Sequence, residues 1–220
     1  HYLAGVGVAF KVAHALLGRV PEHLLEIAVI GTVADLVSLH GENRLLVKRG
    51  LKHMRMTRNI GLKALFKVAN VSQSEITEES IGFSIAPRIN AVGRLEDAAP
   101  AVHLLLSDDP EEAKELAEEI DELNKLRKDI VKQITEEAIA EVENNFPPEE
   151  NKVLVLAKEG WNPGVIGIVA SKLVERFYRP TIVLSIDPIK ETAKGSARSI
   201  AGFDLFANLS DCRELLPHFG

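Results

Sequence analysis

Apolar residues recur every three or four positions through the first hundred residues, in short stretches separated by polar turns. This spacing predicts helices over about residues 3–17, 21–33, 42–56 and 62–68. One more short helix is predicted to follow Thr77 and to end at Pro87, because proline disfavours helical geometry in the residue before it. The first half of the chain is therefore predicted to be a set of short packed helices.

A much longer helix is predicted in the middle of the chain. Asp109 followed by Pro-Glu-Glu is typical of a helix start, with a capping carboxylate, a proline at the first position and acids in the first turn. Nothing interrupts the helical pattern until about Asn144, and Pro147 and Pro148 then end it. About 35 residues at ~1.5 Å each would give a rod of roughly 50 Å.

The last third changes to a strand pattern. Residues 153–157 and 181–185 are short apolar runs, and a helical pattern over 164–177 separates them. Strand, helix and strand in this order predict a βαβ unit with parallel pairing. A third strand is predicted over 196–200 and a last helix over 203–212. The fold class is therefore α/β, with a mostly helical first part, a long connecting helix and a smaller α/β domain.

Composition narrows the classes of function. The 220 residues carry a net charge of −6, so indiscriminate coating of nucleic acid is not expected. A local basic cleft remains possible, because much of the acid lies in residues 108–150. Cys212 is the single cysteine, which excludes an internal disulfide and favours a cytoplasmic location. No run approaches the ~18 apolar residues of a membrane span, so no membrane association is expected.

Residues 86–94 are predicted to form a loop, which is a candidate for anion binding. Arg88, Asn90 and Arg94 follow Pro87, and Gly93 permits close approach to a ligand. A guanidinium group matches the oxygens of a phosphate with two parallel hydrogen bonds. The alternative is that the two arginines pair with nearby acids such as Glu96 and Asp97, and the pattern favours neither interpretation.

Residues 195–199 are the second candidate for phosphate contact. Ser196 supplies a hydroxyl and Arg198 a guanidinium, after a turn that contains Lys190 and Lys194. The alternative is an ordinary edge strand. The alternation of small polar residues favours phosphate contact.

Two further sites carry polar groups at the ends of predicted elements. Asp35 ends an apolar helix, and its carboxylate could bind a hard metal ion. The alternative is that the carboxylate caps the following turn, and the spacing alone favours this capping role. Trp161, in a turn that precedes a helix, could stack on a base or cover the edge of the sheet.

Together these segments resemble the RecJ family of single-strand-specific DNA exonucleases, in the DHH phosphoesterase superfamily. The matching segments lie in order along nearly the whole chain: residues 3–10, Gly31-Thr-Val-Ala-Asp35, 41–47, 86–94, 164–171, 179–183 and 195–199. The segment 86–94 distinguishes this family from smaller DHH enzymes.

The resemblance implies a domain organisation and roles for individual residues. Residues 1–107 would be the C-terminal part of a DHH catalytic domain, 108–149 a connecting helix and linker, and 150–220 a truncated DHH-associated domain that binds substrate. Asp35 matches the last metal-binding acid, for Mn²⁺ or Mg²⁺. The resemblance implies contacts with substrate phosphates for Arg88, Asn90, Arg94, Ser196 and Arg198.

The resemblance also implies an activity, the hydrolysis of single-stranded DNA from 5′ to 3′ in DNA repair and recombination, with other repair proteins as further candidate partners. The Asp-His-His element and the other metal-binding acids of the superfamily do not occur in the sequence, and would lie before His1. An internal segment, inactive alone, is therefore expected. The alternatives are a DHH phosphodiesterase for cyclic dinucleotides or short oligonucleotides, and a non-catalytic interaction module.

Overall fold

The computed structural model describes residues 2–216. The chain divides into two compact units. The first unit is His1–Lys125 and the second is Leu126–Gly220. The division falls inside one long helix. No helix in the described residues is long and apolar enough to cross a membrane.

The first unit is built from helices, as the apolar spacing predicts. Their bounds are α1 Gly5–Leu17, α2 Leu25–Ala34, α3 Gly41–Met54, α4 Ile60–Val68, α5 Glu78–Ser80, α6 Ala86–Leu95, α7 Ala99–Leu106 and the start of α8, Pro110–Asn145; 3₁₀ turns lie at Glu22–Leu24 and Gln73–Glu75. The core includes Leu62, Leu65, Ile81 and Leu104, all fully buried.

Close packing of α3 on α2 depends on Gly50. A Cβ atom at this position would lie 2.7 Å from the carbonyl oxygen of Leu25 and 2.7 Å from the Cβ of Val29. The missing side chain therefore allows the two helix backbones to approach each other. Helix α2 is apolar almost throughout and is buried along most of its length. One face of α3 packs on α2, and the opposite face of α3 is exposed.

The long helix α8 has the predicted start and length. It runs over 36 residues, which at ~1.5 Å each is about 54 Å. The Oδ1 atom of Asp109 accepts the backbone N–H of Glu111 at 2.8 Å and that of Glu112 at 3.5 Å. This carboxylate satisfies donors that the first turn would otherwise leave unpaired.

The prediction that Pro87 ends a helix is wrong. Residues Ile81–Ile85 form one π-helical turn after α5, in which the N–H of Ala86 bonds the carbonyl of Ile81, and α6 continues from Ala86. Pro87 is therefore near the start of α6, where a missing N–H is tolerated. The wider π turn relieves the crowding between a proline ring and the carbonyl four residues before it. Residues 86–94 are helix rather than loop.

The second unit contains a three-stranded sheet in the order β1-β2-β3. Its elements after α8 are β1 Leu154–Glu159, α9 Ile166–Phe177, β2 Thr181–Asp187, β3 Thr192–Arg198 and α10 Leu205–Ser210. Strands β1 and β2 are parallel, as predicted, with Leu154 opposite Thr181. Strand β3 is antiparallel to β2, with Ser196 opposite Val183, and starts earlier than predicted. The α/β fold class is confirmed.

Candidate phosphate-binding and metal-ligating residues

Arg88 is held by three acceptors inside the first unit. Its Nε donates to Oδ1 of Asp121 at 2.8 Å, and its two Nη atoms donate to the carbonyls of Ser84 at 2.6 Å and Val68 at 3.5 Å. The side chains of Arg88 and Asp121 are only 14% and 12% exposed. The partner acid is thus Asp121 on α8, not Glu96 or Asp97. These contacts give the guanidinium a structural role at this position.

The Asp121 carboxyl also accepts Nζ of Lys125 at 2.7 Å. Burial raises the pKa of Asp121, but the hydrogen bond from Lys125 and the charge of Arg88 outweigh this effect and hold the pKa below its ordinary value of 3.8. Asp121 therefore stays ionised between two cations. It ties α6 to α8 within the first unit.

Asn90 and Arg94 share a different face of α6. They are four residues apart, so both side chains lie on one side of the helix, and both are exposed. At about 100° per residue, Arg88 lies on the opposite side. The structure therefore brings Asn90 and Arg94 together and separates them from Arg88.

Asn90 lines a cleft of about 570 Å³ in the first unit. One wall comes from the end of α2 and the residues after it, including Leu36, and the other from α5 to α6, including Phe83. Phe83 is 81% exposed. Most of the lining is apolar. The polar side chains of the lining are those of Asn90 and of the acids Glu78 and Glu79.

Asp35 follows α2 at the rim of this cleft, between the lining residues Ala34 and Leu36. Its backbone N–H bonds the carbonyl of Gly31 at 3.0 Å, and within residues 2–216 its exposed carboxylate has neither a hydrogen bond nor an ion pair. The carboxylate therefore does not cap the following turn.

The chemistry of Asp35 suits one ligand position of a Mg²⁺ or Mn²⁺ ion. A single carboxylate does not hold such an ion, however, and the described residues contain no group of three potential His, Cys, Asp or Glu ligands. The residues that the structure describes therefore do not form a complete metal site.

Ser196 and Arg198 lie on one face of β3, against the first turn of α9. Nη1 of Arg198 donates to Oγ of Ser196 at 3.2 Å and to the carbonyl of Ala197 at 2.7 Å. A Cβ atom at Gly167 would lie 2.8 Å from Oγ of Ser196 and 3.2 Å from Nη2 of Arg198. The structure thus brings these two predicted residues together, on the predicted third strand.

Trp161 is buried, at 5% exposure, and is held by an acid on α8. Its Nε1 donates to Oε2 of Glu137 at 3.0 Å, and Lys158 donates to the same oxygen at 2.9 Å. The hydroxyl of Ser185 donates to the carbonyl of Trp161 at 2.6 Å. The indole ring is therefore part of the packing around β1 and β2, and the alternative of base stacking does not fit its burial.

The hydrogen bond from Trp161, followed by those from Lys158 and Gln133, lowers the pKa of Glu137 to about 2. Sequence reasoning missed Glu137, because nothing distinguishes it from the other acids of α8. It also missed Gly167. A small residue within the apolar pattern of α9 is the one signal that could have indicated close approach there.

Comparison with known proteins agrees with the resemblance. Residues 150–219 match the DHHA1 domain. The chain is 61% identical over 218 residues to the single-stranded-DNA-specific exonuclease RecJ of Bacillus subtilis, and 34% identical over 220 residues to that of Thermus thermophilus. These matches cover 99% and 98% of this chain, but 28% and 31% of the relatives.

Solved structures give the same result for the fold. The crystal structures of Thermus thermophilus RecJ in complex with Mg²⁺ and with Mn²⁺ match 97% of this chain, each with a TM-score of 0.84 and 33% identity, and the chain covers 33% and 32% of them. The chain is therefore similar along nearly its whole length to one segment of the RecJ exonucleases, and it spans about a third of the length of these relatives.

Proposed function

We propose that this chain is the substrate-holding segment of a metal-dependent exonuclease that hydrolyses single-stranded DNA from 5′ to 3′ in the cytoplasm, in DNA repair and recombination. The relatives that match it are named single-stranded-DNA-specific exonucleases. The observation that carries the proposal is the placement of Ser196 and Arg198 on one face of β3, against α9.

This placement suits a phosphodiester. The guanidinium of Arg198 and the hydroxyl of Ser196 can donate to the oxygens of one phosphate, and the first turn of α9 adds the favourable end of a helix dipole. The group recognised is the DNA backbone, so the contact would carry no base preference. Single-stranded DNA is the proposed partner, with other repair proteins as further candidates.

In the first unit, Asn90 and Arg94 are the proposed phosphate contacts, and Arg88 would act through Asp121 by holding α6 in place. Asp35 is the proposed ligand for Mn²⁺ or Mg²⁺, which would supply an activated water and stabilise the charge of the transition state when bound. Because the described residues offer no complete ligand set, the chain alone is expected to be inactive.

The test is the binding of a fluorescein-labelled 20-mer of thymidine to the purified chain, followed by anisotropy at several salt concentrations. Removal of one phosphate contact in Ser196→Ala/Arg198→Ala should lower the affinity and make the slope of log K against log salt shallower by about 0.7. Lys152→Ala, at an exposed lysine of the same unit, is the control. An unchanged affinity and slope would reject this site.

A second measurement tests the expectation of inactivity. The purified chain is incubated with single-stranded DNA and Mn²⁺, with and without a chelator. Degradation that the chelator abolishes would show that the chain cleaves without further residues, and would overturn this part of the proposal.

A further inference from the structure

A strongly basic segment stands out in this acidic chain. Between Glu42 and Glu75 there is no Asp or Glu, although the chain has 32 of them in total. Eight of the 26 Lys and Arg residues lie in this interval: Arg44, Lys48, Arg49, Lys52, Arg55, Arg58, Lys63 and Lys67. All eight are exposed. The segment covers most of α3 and all of α4.

Helix α3 gathers four of these cations on its outer face. At about 100° per residue, Arg44, Lys48, Arg49 and Lys52 span an arc of roughly 140°. The opposite side of the helix is buried against the first unit, through Asn43, Leu46, Val47, Gly50, Leu51 and Met54. We call the outer face the α3 basic face. Fourteen residues at ~1.5 Å give it a length of about 21 Å.

The four cations of the α3 basic face do not stabilise the helix. Within residues 2–216, none of the four cations makes an ion pair or a side-chain hydrogen bond, and Glu42, the one acid of α3, pairs with Lys11. Lys48 lies four residues from both Arg44 and Lys52, a spacing at which like charges repel. Arg44 also lies near the helix N-terminus, where a cation is unfavourable.

We propose that the α3 basic face binds the phosphate backbone of single-stranded DNA, as a second contact surface that is separate from Ser196 and Arg198. The inference rests on the single-stranded DNA substrate of the proposed function. A phosphate backbone is favoured over an acidic protein because Leu45 is the one large apolar side chain within the cationic arc. Specific protein interfaces have a fully buried core that is more apolar than this.

The variant that tests the face is Arg44→Ala/Lys48→Ala/Lys52→Ala. Its matched control is Lys114→Ala/Lys128→Ala/Lys132→Ala, which removes three exposed charges from α8. Alanine favours helix in both, and circular dichroism checks the folded state. The probe is a fluorescein-labelled 30-mer of thymidine, titrated with the 220-residue chain at several salt concentrations.

We expect the face variant to lose affinity at least tenfold at low salt, and its salt slope to become shallower by about 2, which is three contacts at ~0.7 each. The charge-preserving variant Arg44→Lys/Lys48→Arg/Lys52→Arg should keep the wild-type slope. Equal losses in the face variant and the control would overturn the inference, since net charge alone would then explain binding. A wild-type chain that does not bind the oligomer at all would also overturn it.

Two further comparisons separate the possible failures. If Ser196→Ala/Arg198→Ala leaves affinity unchanged while the face variant loses it, the proposed phosphate site fails and the α3 basic face stands. If the face variant keeps its affinity for DNA but loses binding of polyglutamate, the face recognises acidic protein and the inference is rejected.

Discussion

Arg88 and Asp121 form a largely buried ion pair, with Nε of the arginine 2.8 Å from Oδ1 of the aspartate. The pair joins α6 to α8 inside the first unit, and Lys125 contacts the other carboxylate oxygen. A residue that sequence reasoning assigned to substrate phosphate is therefore also a fixed part of the packing. The helix that Arg88 anchors presents Asn90 and Arg94 on its exposed side.

Removal of Arg88 should destabilise the first unit. Arg88→Ala leaves the Asp121 carboxylate with one exposed partner and removes the guanidinium donor from the carbonyl of Ser84, so we expect a loss of about 2 kcal/mol in the free energy of unfolding. Asn90→Ala, at an exposed position of the same helix, is the control and should change it by less than about 0.5 kcal/mol. Urea denaturation followed by circular dichroism measures both.

Arg88→Lys is not expected to restore these contacts, because an ammonium group lacks the planar fork that reaches three acceptors.

If Arg88→Ala unfolds at the same urea concentration as the unsubstituted chain yet no longer binds single-stranded DNA, Arg88 acts directly on phosphate and the structural explanation fails.

The Glu137 carboxylate should make the second unit sensitive to acid. Its pKa is about 2 in the folded chain, against an ordinary value of 4.5. A carboxyl whose pKa is lowered by folding stabilises the fold above its unfolded pKa, and loses that contribution as the pH falls through the folded value. The contribution is therefore complete above about pH 5 and disappears towards pH 2.

The measurement is the difference in the free energy of unfolding between the unsubstituted chain and Glu137→Gln, taken from pH 6 down to pH 2. We expect the difference to be largest near pH 6 and to shrink steadily on acidification. Glu136→Gln, at the neighbouring exposed acid, is the control for the removal of one negative charge from α8. A difference that does not depend on pH would mean that the charge of Glu137 contributes nothing.

Gly61 should tolerate no side chain. A Cβ atom there would lie 1.8 Å from the carbonyl oxygen of Leu104, a backbone atom of α7 that cannot rotate away. Gly61→Ala should therefore cost about 2 kcal/mol or more in the free energy of unfolding. Gly5→Ala is the control, because nothing lies within 4 Å of a Cβ at that position of α1. Equal thermal melting temperatures for the two variants would contradict the packing of α4 on α7.

Local signals predicted most of the elements correctly. The start of α8 follows from Asp109 and Pro110, whose effects act within the first turn. The parallel pairing of β1 and β2 follows from the strand, helix and strand order, which allows few connections. In each case the deciding interaction lies within a few residues or is fixed by chain topology.

The failures involve contacts between distant residues. Pro87 was expected to end a helix, but a π turn before it, packed through the buried Ile81 and Ile85, lets the helix continue. For Trp161 the sequence leaves base stacking and packing over the sheet as alternatives, and its partner Glu137, which belongs to the packing, lies 24 residues earlier. Local spacing cannot identify the tertiary packing around the π turn before Pro87. It also cannot identify Glu137 among the acids of α8 as the partner of Trp161.

Gly167 offers the sharpest test of the phosphate site on β3. An alanine methyl group at this position would meet Oγ of Ser196 at 2.8 Å, closer than such contacts occur, so the hydroxyl or the strand must shift. If Ser196 and Arg198 hold a phosphate, Gly167→Ala should weaken binding of single-stranded DNA about fivefold, or ~1 kcal/mol. Gly5→Ala should leave binding unchanged.

The same substitution in a Ser196→Ala background distinguishes a lost geometry from a damaged fold. Without Oγ, the nearest atom of residue 196 is its Cβ at 3.5 Å, an ordinary contact, and the Arg198 guanidinium at 3.2 Å is a flexible end that can move. Gly167→Ala/Ser196→Ala should therefore bind DNA as Ser196→Ala does, with strong coupling between the two positions. Additive losses would show that Gly167 acts independently of Ser196, and that its small size does not serve the phosphate site.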